Sequence, residues 1–267
     1  MRLFKPGQVQ GFEWTQRWKD SAIIDDIGNW ASSEVKTIRV TEGYTGSFVE
    51  LRVRQFIPQE GDKLERSWVV NGQKRSVPIP PYAIIDLDAA KTAYDNYIKK
   101  GLVECCKRLL GPKEKLLWRT YALATKIMMD PSTGEEEKEL IHSTLDLWMS
   151  IRLTTKSFEI VGEETLGMSR DIIDNTSPLR GSIPLPPVMG AQIDSILLHH
   201  TLPRLRRDTL ETLQNMTQKK QQKTWLTTYL VTFILLHNVA LITKHDAGYA
   251  QKHGMKVGFI LIRFPSG

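Results

Sequence analysis

Along the first third of the chain, hydrophobic and polar positions alternate. Val35 to Val40 and Phe48 to Ile57 are rich in β-branched residues, and Val49, Leu51 and Val53 recur at every second position. A period of two puts such residues on one face of a strand. Asn71-Gly72 separates the apolar run SWVV from QKRSVPI. An Asn-Gly pair between two such runs predicts a hairpin, because both turn positions need positive φ. Pro78, Pro80 and Pro81 then end the second strand, since proline cannot donate to a ladder.

After Tyr82 the period becomes helical. Asp86 to Leu110 reads as one or two helices, with Gly101 as a break between them. Lys113 to Met129 forms the next, with Leu116, Leu117, Tyr121 and Leu123 as its apolar positions. Asp130 to Gly134 is a turn. The acidic run Glu135-Glu136-Glu137 then complements the positive end of a helix that carries Leu140, Ile141, Thr144, Leu145, Trp148 and Ile151 on one stripe. Ser157 to Val188 reads as a long irregular connection punctuated by Pro178, Pro184, Pro186 and Pro187. From Met189 the helical stripe resumes through Ile193, Ile196 and Leu197. Pro203 interrupts it, and Leu205, Leu210, Leu213 and Met216 continue it. The predicted fold is mainly α: an N-terminal section of short strands and a hairpin over residues 1–82, and a helical domain over 83–267.

Trp225 to Thr243 is the most apolar stretch and contains no Asp, Glu, Lys or Arg. Thr227, Thr228, Thr232, Asn238 and Thr243 gather on one side of its helical wheel, and leucines, Phe233 and Ile234 spread over the rest. A helix apolar nearly all round predicts a buried core helix. Its length also meets the requirement of about 20 apolar residues for a membrane span, although the asparagine, histidine and threonines are costly in lipid. The expectation is therefore a core helix and no membrane, with anchoring by residues 225–243 as an alternative. No repeat and no heptad run of coiled-coil length is evident.

Composition adds little chemistry. The net charge is +6 and the pI about 9.2, with the basic residues dispersed. That favours acidic partners only weakly. Arg204, Arg206 and Arg207 lie beside one helical stripe and form the candidate contact for nucleic acid or a protein partner. Contact with phosphates would be weak and without sequence preference. Cys105 and Cys106 are the only cysteines, and adjacent cysteines do not make a metal spacing. They read as small hydrophobes on a helix. There is no glycine-rich phosphate loop, no GxSxG elbow and no HExxH pair. His199 and His200 point about 100° apart on a helix and do not share a metal easily. His237 reads as a hydrogen-bonded core residue. No catalytic, cofactor or metal site is predicted. An enzyme with a dispersed active site remains the rival reading. The N-terminus lacks the apolar core of a secretory signal.

Four stretches carry a resemblance: Phe48–Trp68, Val161–Met168, Thr176–Leu198 and Gln222–Met255. Together they resemble the region downstream of the zinc cluster in transcription factors of the fungal zinc binuclear cluster class, as found in filamentous fungi. The resemblance covers about Trp14 to Lys256. It implies a helical regulatory region, a nuclear location (otherwise cytoplasmic, not secreted), protein partners and no enzymatic activity. The chain departs from that class in its cysteines. The DNA-binding module of the class holds two zinc ions with six cysteines, whereas this chain has two, side by side. It departs again at the end. Beyond Lys256 the chain reads VGFILIRFPSG, where more helical sequence is expected, as from a truncated gene model.

Overall fold

A computed structural model describes residues 15, 17, 27–110, 115–177, 179–219 and 221–252. The apolar end VGFILIRFPSG lies outside these residues. The fold is mainly α with a strand-rich N-terminal section. Strands β1 (Trp30–Thr41), β2 (Val49–Phe56), β3 (Glu65–Val70), β4 (Gln73–Pro78) and β5 (Tyr82–Ile84) come first. Helices α1 (Leu87–Leu109), α2 (Lys115–Met129) and α3 (Glu135–Leu153) follow. The short strands β6 (Glu159–Val161) and β7 (Ile183–Pro184) precede α4 (Pro187–Ser195), α5 (Leu202–Gln218) and α6 (Trp225–Lys252).

The main sheet is antiparallel in the order β5-β2-β1-β6-β7. Val49, Leu51 and Val53 are buried on one face, as their alternation predicts, with Ile38 and Val40 of β1 beside them. β3 and β4 form a separate hairpin with Asn71 at φ 49° and Gly72 at φ 78°, the left-handed pair that the turn requires. β6 and β7 lie inside the stretch expected to be irregular. At three and two residues they are too short to leave a period in the sequence, and the sheet edge selects them. One buried cluster runs from the sheet through α1 and α3 to Leu230, Val231 and Ile234 of α6.

Two local features settle or correct the expectation. α1 runs without a break, capped by Asp86, whose side chain accepts from the Ala89 N–H. Gly101 is there for space: a Cβ would stand 2.8 Å from Met149 Cε and 2.9 Å from Thr45 Cγ2. Pro203 does not interrupt its helix. Residues Ile196–Thr201 widen into a π-turn that joins α4 to α5, and the Leu202 N–H reaches back to Leu197 O. A proline ring clashes with the carbonyl four residues earlier, and a widened turn just before it relieves that clash.

Candidate interaction surface

α6 is 28 residues long and packs on one side only. Thr227, Leu230, Val231, Ile234 and Asn238 face inward and are buried against α2, α3 and α5. The opposite side is open: Trp225 is 62% exposed, Tyr229 57%, Leu236 65% and Val239 59%. This corrects the expectation of a helix enclosed by the core. α6 is long and apolar enough to cross a membrane by length and composition, and only 28% of its most apolar window is buried.

The inner side of α6 is anchored by polar contacts from two helices, α2 and α3. The Tyr121 hydroxyl of α2 lies 2.8 Å from His237 Nδ1, and their rings meet edge to face at 5.7 Å. Tyr121 also stands edge-on to Trp148 of α3, with ring centroids 5.2 Å apart. Thr227 Oγ1 donates to Glu137 Oε1 at 2.6 Å. Lys219 at the end of α5 pairs with Glu136 at 2.7 Å. The acidic run therefore does two things. It lies in the first turn of α3, as expected, and it ties α5 and α6 to that end of the bundle.

The exposed residues are not scattered. Trp225, Tyr229, Thr232, Leu236 and Val239 follow spacings of 4, 3, 4 and 3, which half-buried Thr243 continues, the repeat by which helices meet along a seam. Thr232 donates its hydroxyl back to Thr228 O at 2.8 Å, so it needs no outside partner for that proton. The spacing is present in the sequence. It spans less than three heptads, and only the direction in which α6 packs shows that this stripe is the uncovered one.

The three arginines of α5 do not act as a set. Arg204 turns to α1 and donates to both Asp95 carboxylate oxygens, at 2.9 and 2.8 Å. Arg206 and Arg207 are exposed, and neither forms an ion pair among the described residues. Leu205 and Thr209, on either side of these two in the chain, are buried, which holds Arg206 and Arg207 outward.

The remaining titratable groups are built into the scaffold. Glu42 is 1% exposed at the end of β1, and its carboxylate accepts from the Tyr97 hydroxyl at 2.9 Å to each oxygen. Burial pushes the Glu42 carboxyl up and outweighs that hydrogen bond. Cys105 and Cys106 are buried on α1, and burial pushes both thiols up to about 12, which leaves them as thiols at neutral pH. Glu164 pairs with Lys36 at 3.3 Å and accepts from the Leu166 N–H at 2.7 Å, holding a loop. His142 is raised by its hydrogen bond to Asp146 one turn further along α3. Among the described residues, no three His, Cys, Asp or Glu side chains converge to hold a metal ion.

The model of the KpeA transcription factor family matches residues 4–260. The chain belongs to this family. Membership carries a regulatory, transcription-factor-like role, and the match spans both the sheet and the helices. No curated protein and no solved structure matches the chain.

Proposed function

We propose that this KpeA-family chain is a non-enzymatic regulatory and interaction domain that acts by protein–protein contact through the outer face of α6. The observation that carries the reading is the ordered apolar stripe that the fold leaves open while anchoring the reverse side of the same helix. Contiguous exposed apolar surface on a soluble domain marks a contact site. The chain's two adjacent cysteines are a poor match to a six-thiolate zinc cluster, so sequence-specific DNA recognition falls to another module or partner. Arg206 and Arg207 supply at most a weak, non-specific contact with phosphates. The place of action is the nucleus, in keeping with a transcription factor family, and the resemblance to proteins of the zinc binuclear cluster class fits the same role.

A tethering assay tests this function. Fused to an unrelated DNA-binding domain, the chain should change transcription from a reporter that carries the matching site. A fusion that is folded, nuclear and silent at several promoters would overturn the proposal.

A further inference from the structure

We infer that the outer face of α2 is a second contact surface, built for an acidic amphipathic helix of a partner protein. It uses none of the residues of the α6 stripe, so it stands or falls apart from the reading of that face. α2 turns Thr120, Tyr121 and Ala124 inward, and Tyr121 meets Trp148 of α3 and His237 of α6. The opposite side carries three rows of exposed residues, each with two members seven apart: Leu116 and Leu123, Arg119 and Lys126, Ala122 and Met129. Adjacent rows are offset by three residues, about 60° round the helix, so the two cations lie between apolar rows. Leu116 is 69% exposed and Met129 73%, so the fold leaves both apolar rows open.

Charge selects the partner. α2 contains no Asp or Glu, and neither Arg119 nor Lys126 forms an ion pair among the described residues. Asp130, just past the helix end, accepts from the Ser132 N–H and hydroxyl. A second copy of this face would set cation against cation, so the complement lies on another protein. The apolar rows then decide between acidic partners. Phosphates would meet the cations but leave Leu116, Leu123 and Met129 in water. A helix with carboxylates seven apart and apolar residues on either side meets all three rows at once, because seven residues are close to two turns of either helix. The rise from Leu116 to Met129 is about 20 Å, which matches about four turns of such a partner.

Fluorescence anisotropy of a labelled synthetic peptide titrated with the full chain tests the inference. The probe is an amphipathic helix of about four turns, with a row of Glu between two rows of Leu at the same spacing as the rows of α2. It should bind saturably. A scrambled peptide of the same composition, and one with Gln for Glu, should each bind about tenfold more weakly. Arg119→Glu and Lys126→Glu should each weaken the probe by about tenfold. Lys107→Glu makes the same change of charge at an exposed position of α1 and should leave binding intact. The double variant R119E/K126E should take up a peptide with Lys in place of Glu. Circular dichroism melting confirms that each variant folds, and the comparison of peptides on the wild-type chain depends on no variant. A probe that fails to bind overturns the inference, as does a scrambled peptide that binds equally well. So does probe binding that R119E and K126E leave unchanged, including the case in which these variants abolish only the binding of duplex DNA or of phosphatidylcholine–phosphatidylserine vesicles.

Discussion

The Tyr121 hydroxyl and His237 Nδ1 lie 2.8 Å apart and join α2 to the rim of the buried side of α6. Tyr121 is 1% exposed, so its hydroxyl has no ready exchange with water. Tyr121→Phe keeps the ring against Trp148 and removes only the hydrogen bond. It should destabilise the fold by about 1 kcal/mol. Tyr121→Ala also leaves a cavity and should cost about 3–5 kcal/mol. Urea unfolding of both variants separates the hydroxyl from the ring, and equal losses would contradict the arrangement.

Ile234 and Leu236 sit two residues apart on opposite sides of α6, the first fully buried and the second 65% exposed. Ile234→Ala should lower stability by about 2–5 kcal/mol, whereas Leu236→Ala should stay within about 0.5 kcal/mol. Phe233 is half-buried, so its truncation should fall between the two. Chemical denaturation of dilute protein measures all three. A reversed order would mean that α6 packs through its other side.

Glu42 gives the fold a pH dependence of known sign. Its folded-state pKa is raised, chiefly by burial, above the ordinary value of 4.5. The folded state therefore holds the proton more tightly than the unfolded chain. Stability from this group is fully present below the unfolded pKa and declines as pH rises from about 4.5 through the raised value. Glu42→Gln should remove that slope, so the variant gains on wild type as pH increases across this window. Thermal melts at a series of pH values read it directly, and a difference independent of pH would contradict the burial argument.

Arg204 and its two neighbours should separate in binding experiments. Any affinity for duplex DNA should be weak, independent of sequence and steeply reduced by salt. Arg206→Ala and Arg207→Ala should lower it further. Arg204→Ala should instead remove the Asp95 pair at a cost below about 1 kcal/mol, as for other partly exposed pairs. Fluorescence anisotropy with two unrelated duplexes at two salt concentrations is the measurement. Salt-resistant preference for one duplex would contradict the assignment.

Much of the fold is legible in the sequence where a period lasts long enough to be read. The alternation of Val49, Leu51 and Val53 fixes β2, Asn71-Gly72 fixes the hairpin, and Glu135–Glu137 marks the start of α3. β6 and β7 are not legible, because two or three residues carry no period and become strands only beside β1. Gly101 shows a different limit. Its role depends on Met149 and Thr45, which are distant in sequence. The candidate surface was half legible. The composition of α6 is plain, but a helix apolar nearly all round does not say which side will be covered. Thr227 and Asn238 are buried while Leu236 and Val239 are not. Contacts with α2, α3 and α5 decide the orientation, and only after that choice does the seam spacing become visible.

The central claim is that the chain regulates through the outer face of α6. Its most direct test is the tethered-reporter output across a matched series: wild type, Leu236→Glu, Val239→Glu, and Arg206→Glu as an exposed control on α5. Melting temperatures and nuclear levels are measured alongside. The account predicts that the two α6 variants lose most of the output while melting like wild type, and that Arg206→Glu retains it. Output unchanged in Leu236→Glu and Val239→Glu would contradict the claim.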